Sequence, residues 1–176
     1  MPFAYYARLS PSRQCIYRQS DAIEVLTLPE GIESGSIVAR VRDGLVRDDR
    51  KAVERACQEL VDALARGYGV PKIRVRVLAQ RPADDGGELH GLYEPEEGRN
   101  AARISVWMRT AARKQVVAFR TFLRTLVHEV CHHLDYEYFR LEETFHTEGF
   151  YKRESTLSAA LIAQERADGP AQVPLF

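Results

Sequence analysis

The sequence predicts an α+β fold in which a small sheet of about three strands packs against a leading helix, a central helix and a helix near the C-terminal end. Apolar residues recur at helical spacing over residues 48–66 and 148–166, and they alternate with polar residues over 73–77 and 103–109. The segment 112–138 contains no Gly or Pro and is rich in helix-forming residues. This order of elements favours an antiparallel or mixed sheet beside the central helix.

The first 46 residues are predicted to form a strand-rich extension. Residues 3–9 and 14–18 have the composition of two short strands around Ser10-Pro11-Ser12, which indicates a hairpin. Residues 23–28 are predicted to add another strand. This end of the chain is basic, and a solvated face is a simpler interpretation than a patch for nucleic acid or an acidic partner.

The strands of the main domain, residues 47–166, follow the leading helix. Residues 73–77 and 89–93 are predicted strands separated by a Gly- and Pro-containing turn. The third strand, 103–109, is predicted to be an edge strand that can add an extended peptide. Trp107 lies off its apolar alternation, so this ring either lines a cleft or packs against the N-terminal segment.

Composition limits the classes of protein to which the chain can belong. It has 176 residues, which suits one main domain, and its 25 basic and 25 acidic residues give a formal net charge of zero. Strong attraction to nucleic acid or membranes is not expected, and no apolar run is long enough for a membrane span. The three cysteines form no Cys-x-x-Cys pair, and Cys57 and Cys131 are expected to pack in the interior. These features predict a cytoplasmic protein without disulfides.

The central helix contains His-Glu-x-x-His as His128, Glu129 and His132. On a helix this spacing places the two imidazoles one turn apart on one face, where both can bind one Zn²⁺. Glu129 can accept a proton from a water whose pKa the ion lowers, which is the chemistry of a zinc peptidase. The opposite face is apolar and can pack on a core; it carries Phe119, Leu123, Leu126, Val127, Val130 and Leu134.

A third metal ligand is needed, and His146 is the favoured candidate. A short turn after the helix can bring His146 back over the first two ligands. An acidic residue that would make a His₂Glu site remains an alternative, and the candidates are Glu142, Glu143, Glu148 and Glu154. Asp135, on the same face as the two motif histidines, is expected to orient a ligand histidine.

Over residues 48–160 these features resemble the SprT-like (Spartan-like) metallopeptidases. The resemblance rests on the leading helix, the three strands, His-Glu-x-Cys-His at 128–132, and His146 followed closely by an aromatic residue, Phe150. It implies a minimal zincin-like fold, with Zn²⁺ held by His128, His132 and His146 and with Glu129 as the catalytic residue. The family usually has Gly after the third His, where this chain has Thr147, and the zinc ribbon of bacterial members is missing.

The predicted function is therefore a zinc-dependent endopeptidase that hydrolyses a protein substrate, and the resemblance implies a role in DNA–protein crosslink repair. A regulatory peptidase that cuts a repressor-like partner and a non-catalytic zinc-stabilised interaction module are the alternatives. The tail 167–176 is predicted to be flexible. It ends in a pattern similar to the peptide by which bacterial proteins dock on the sliding clamp, through Gln172, Leu175 and Phe176. A weak contact with DNA is also expected.

Overall fold

A computed structural model describes residues 2–84 and 87–168 and confirms the α+β class. The five helices are α1 (Pro11–Ala22), α2 (Gly35–Val46), α3 (Arg50–Tyr68), α4 (Phe119–Glu137) and α5 (Glu148–Asp168). The strands are β1 (Arg74–Gln80), β2 (Ala83–Asp84), β3 (Gly87–Glu88), β4 (Gly91–Glu94) and β5 (Arg103–Arg109), and a 3₁₀ helix spans Ala4–Arg8. No helix within the described ranges is long and apolar enough to cross a membrane.

The main sheet has the strand order β1-β5-β4. It is mixed, which is one of the two alternatives that the sequence predicts. β1 pairs with β5 in parallel, and β4 pairs with β5 in antiparallel orientation. The prediction that residues 103–109 form an edge strand was wrong, because β5 is central and its five inner residues are all buried. The free edge beside α4 belongs to β4. Trp107 is buried in β5 with 8% of its surface exposed.

Local signals in the sequence explain the long helices. In α3 the Asp49 side chain accepts a hydrogen bond from the Ala52 N–H, and Gly69 ends the helix in a left-handed conformation (φ 67°). The predicted apolar stripe of α3, which includes Cys57, is buried. The stripe of α4 is also buried except for Phe119, which packs at the margin of the core. Each such Leu or Val stabilises the fold by about 1.5 to 3 kcal/mol through its burial.

The helix α4 begins at Phe119, seven residues later than the start of the segment predicted to be helical. Residues 110–117 instead turn back along β5, where the Val117 N–H donates to the Met108 carbonyl and the Thr110 N–H to the Gln115 carbonyl. The lack of Gly and Pro in this stretch permits a helix but does not require one.

The strands predicted before residue 47 were wrong, because this part of the chain is mainly helical. Ser10 caps α1 by accepting a hydrogen bond from the Arg13 N–H, and Pro11 occupies the first helical position, where its missing N–H is not needed. The Ser-Pro pair therefore begins a helix instead of a hairpin turn. Helix α2 packs against α3 and α5, and Ile37, Val38, Val41 and Leu45 contribute its buried face.

Residues 23–28, predicted to be a strand, pair with no strand in the described part of the chain, and side chains of α5 bind the main chain there. Arg153, which is fully buried, donates to the carbonyl oxygens of Ser20 and Ile23 at 2.6 Å and to Asp135 Oδ1 at 2.8 Å. Thr156 Oγ1 accepts a hydrogen bond from the Leu26 N–H. Arg153 therefore joins α1, α4 and α5 at one buried point.

Replacing Arg153 by leucine is expected to lower the free energy of unfolding by about 3 to 5 kcal/mol, because the Asp135 carboxylate would remain buried without its partner. Urea unfolding measures this change. The matched control is Arg166→Leu in the exposed last turn of α5, for which a change within about 0.5 kcal/mol is expected. An Arg153 variant as stable as the control would contradict this role.

Candidate metal centre

The helix α4 presents His128 and His132 on the face opposite its apolar stripe. Leu126, Val127 and Val130 are buried in the core, which fixes the rotation of the helix. Both histidines are partly buried and one helical turn apart, with ring centroids at 4.8 Å. The helix therefore points two imidazoles into one cleft, as the spacing predicts.

His146 reaches the same point from the loop between α4 and α5. The chain reverses after α4 at Arg140, whose φ of 57° is left-handed, and the Leu141 N–H donates back to the Asp135 carbonyl. Thr147 begins α5 by accepting a hydrogen bond from the Phe150 N–H through its hydroxyl. The Tyr5 hydroxyl donates to the main-chain carbonyl of His146 at 2.8 Å.

The three Nε2 atoms of these histidines form a small triangle. His128 and His146 are 3.0 Å apart at Nε2, His132 and His146 are 3.1 Å apart, and His128 and His132 are 3.2 Å apart. Atoms at this separation can all lie about 2.1 Å from one ion, which is the length of a zinc–imidazole bond. The arrangement therefore fits a metal held by three nitrogen atoms.

The partners of the other ring nitrogens determine the tautomers of two of the histidines. His128 Nδ1 lies 2.7 Å from Glu154 Oε2, and a carboxylate can only accept, so Nδ1 carries the proton. His132 Nδ1 lies 2.8 Å from the Thr144 hydroxyl, which itself donates to Asp135 Oδ2. Both Nε2 atoms therefore carry lone pairs directed at the same point, and a cation there would remove their repulsion.

Burial favours the neutral form of two of the ligand candidates, His132 and His146. Burial, reinforced by the neighbouring His128 and His146, lowers the pKa of His132 to about 3. Burial, followed by the charge of His128, also lowers the pKa of His146 below its usual value. A neutral imidazole is the form that binds a metal.

Asp135, which the sequence predicts to orient a ligand histidine, reaches His132 through Thr144. Its Oδ2 accepts from Thr144, which orients His132, while its Oδ1 accepts from Arg153. Burial raises the pKa of Asp135, and Arg153 and Thr144 oppose this shift. The role of Thr144 has no sequence signal, because it depends on the path of the loop.

None of the four glutamates considered as the third ligand lies in the cluster. Among the described residues, the ligand atoms that converge are those of His128, His132 and His146. Glu154 faces the outer nitrogen of His128 and also accepts a hydrogen bond from Arg124. Glu143 pairs with Arg13. The structure therefore places His146 beside His128 and His132, and Glu154 accepts a hydrogen bond from His128.

Glu129 is enclosed between α4 and the edge strand β4. It is 5% exposed, and burial raises its pKa to about 7, although His128 and a hydrogen bond from the Tyr93 main chain oppose the shift. A methyl group at Gly91 would overlap the Glu129 side chain, so glycine is required for this close approach. The sequence gives no indication of the contact, because it joins residues far apart in the chain.

Two clefts meet at Glu129 and His128. One, of about 310 Å³, runs along β4 past Tyr93, Tyr136 and the three histidines. The other, of about 380 Å³, passes His90, Thr125 and Tyr151. Trp107 lines neither, so its suggested role as a cleft residue was wrong. Because the Tyr93 N–H points to Glu129, the outer main-chain groups of β4 face this opening.

Replacing Thr144 by valine is expected to weaken zinc binding by about 10- to 100-fold, because His132 would lose the hydrogen bond that orients it. Competition with a chromophoric chelator measures the affinity. Thr110→Val is the matched control, since the Thr110 hydroxyl is buried without a hydrogen-bond partner among the described residues. Equal affinities in the two variants would show that Thr144 does not position His132.

Comparison of the chain with protein-family models, with curated proteins and with solved structures found no match. What this centre can do is therefore inferred from its own side chains.

Proposed function

We propose that this protein is a zinc-dependent endopeptidase, with His128, His132 and His146 as metal ligands and Glu129 as the general base. The observation that carries the proposal is the convergence of three imidazole nitrogens beside a buried carboxylate, at the meeting point of two clefts. Bound Zn²⁺ would supply the Lewis acidity that polarises a peptide carbonyl and acidifies a water.

In the proposed reaction Glu129 accepts a proton from the attacking water and transfers it to the leaving amine. Its burial supports this role, because a poorly solvated carboxylate, whose pKa burial raises, accepts a proton more readily than an exposed one. The substrate is proposed to lie along β4, where outer main-chain groups can pair with an extended peptide. This strand replaces β5 as the candidate substrate strand.

The number of ligands favours catalysis over a structural role. A structural zinc site is usually closed by four protein ligands, whereas a catalytic site keeps one position open. Within residues 2–84 and 87–168 the cluster has three ligand groups, and it borders a cleft. This geometry supports the peptidase over a zinc-stabilised interaction module.

A narrower proposal concerns the substrate, which the resemblance suggests is a DNA-bound protein. A third cleft, of about 530 Å³, shares Tyr93 and Pro95 with the cleft along β4. Its lining includes Arg74, Arg99 and Arg103. Arg103 is paired with Glu94, whereas Arg74 and Arg99 have no side-chain partner among the described residues. Glu97 also lines this cleft, so these two cations support only a weak contact with DNA. The proposed clamp-binding residues Gln172, Leu175 and Phe176 lie outside the described residues.

Replacing Glu129 by glutamine is expected to lower kcat by about 10²- to 10⁴-fold, because the amide cannot accept the proton of the attacking water. The measurement is cleavage of an unfolded protein such as casein by the zinc-loaded chain, alongside metal analysis. Zinc should remain bound, since Glu129 is not a ligand. A glutamine variant with full activity would overturn the mechanism.

Replacing Gly91 by alanine is expected to lower kcat by about a hundredfold, because the added methyl group pushes the Glu129 carboxylate away from its position. Zinc affinity and urea unfolding serve as internal controls for the ligands and the fold. If kcat is unchanged while the variant remains folded, the close contact between β4 and Glu129 is not needed for turnover.

A further inference from the structure

The first residues of the chain build an aromatic surface beside the third metal ligand. The rings of Phe3 and Tyr151 meet edge to face at 6.1 Å, and Phe3 stacks on Tyr5 at 6.3 Å. Tyr151 in turn stacks on His146 at 5.9 Å. Phe3 is 41% exposed and Tyr151 38% exposed, so two large rings face solvent next to the metal centre. Exposed aromatic clusters of this kind commonly mark binding sites.

These rings line a cleft of about 520 Å³ that is continuous with the metal centre. Its walls are Phe3, Ala4, Tyr5, Arg8, His146 and Tyr151. His146 also lines the cleft along β4, and Tyr151 also lines the cleft beside Glu129. A ligand that occupies the aromatic cleft therefore extends directly to the proposed reaction site.

The surface is held in place before any ligand binds. The Tyr5 hydroxyl donates to the His146 carbonyl, and the Phe3 N–H donates to the hydroxyl of Tyr17 at 3.1 Å. Tyr17 is buried and contacts the rings of Tyr5 and Phe145. A preformed cleft binds its ligand without the cost of ordering a loop.

Charge indicates the chemistry of that ligand. Arg8 is the only arginine or lysine among the residues that line the cleft in the described part of the chain. The two arginines of the neighbouring helix α1 have partners, since Arg13 pairs with Glu143 and Arg18 donates to the Tyr6 hydroxyl. Nucleic acid would require several cations along its backbone. A large uncharged side chain, which can pack against the exposed rings that line the cleft, suits it better.

We propose that residues 2–8 form a specificity subsite that binds an aromatic side chain of the substrate peptide, against the surface made by Phe3 and Tyr151 and next to His146. The inference rests on the proposed peptidase function and adds a substrate preference to it. The segment that carries the subsite precedes the part of the chain that resembles other peptidases, so this preference belongs to the chain's own N-terminal region.

The test uses the zinc-loaded full chain and trialanine hydroxamates, whose hydroxamate group binds the metal without being cleaved. One phenylalanine is placed at each of the three positions in turn, and affinity is measured by calorimetry. At one position phenylalanine should bind about tenfold more tightly than alanine, as expected for burial of much of an aromatic ring. Phe3→Ala should reduce this ratio to about twofold or less.

Control variants distinguish loss of the ring from damage to the fold. Phe3→Tyr keeps a ring and should keep the tenfold ratio. Val46→Ala changes a side chain that is 81% exposed and lies outside the clefts described above, so it should also keep the ratio. If the wild-type chain binds all the hydroxamates equally, or if Phe3→Ala leaves the ratio at tenfold, the subsite is wrong.

Two further measurements separate the subsite from its alternatives. Cleavage of casein tests the peptidase independently, so an inactive chain that still prefers phenylalanine hydroxamates would contradict the function and leave the subsite standing. Titration with single-stranded oligothymidylate tests nucleic acid as the occupant. Binding of the oligonucleotide that Phe3→Ala abolishes, without any preference among the hydroxamates, would overturn the proposal.

Discussion

The site depends on three imidazole nitrogens being held about 3 Å apart, with the lone pairs of His128 and His132 directed at one point. Two buried carboxylates make this possible, because Glu154 fixes the tautomer of His128 and Asp135 fixes that of His132 through Thr144. Burying a carboxylate costs several kcal/mol unless it is paired. Arg124 pairs with Glu154, and Arg153 pairs with Asp135. The same ion pairs that stabilise the buried carboxylates therefore also hold them where they orient the histidines.

The second constraint is the contact between α4 and the edge of the sheet. Glu129 lies against β4 at Gly91 and accepts a hydrogen bond from the Tyr93 main chain. Because the two segments are so close, a side chain at position 91 would overlap Glu129. The same strand borders the cleft in which a peptide is proposed to lie. A single contact therefore sets both the environment of the carboxylate and its distance from the candidate substrate strand.

Periodicity in the sequence was sufficient to predict α3, α4, α5, the strands of the main sheet and the two motif histidines, because these features depend on neighbours a few residues away. It failed for α1, where Ser10 and Pro11 are compatible with a turn as well as with a helix start. It also misplaced β5, because strand order is decided by pairing between distant segments. The contacts of Gly91 and Thr144 were not predictable for the same reason, since each joins residues separated by a loop or a strand.

The position of His146 shows why the mispredicted N-terminal region matters. This residue lies in a loop, and ordering each loop residue costs about 1 to 2 kcal/mol of backbone entropy. The motif helix alone cannot fix that loop. Tyr5 binds the His146 carbonyl, Tyr17 packs against Phe145, and Asp21 accepts a hydrogen bond from the Gly149 N–H, so three contacts from the N-terminal region hold the residues on either side of the ligand. The third vertex of the nitrogen triangle is thus set by the part of the chain that lies farthest from the motif in sequence.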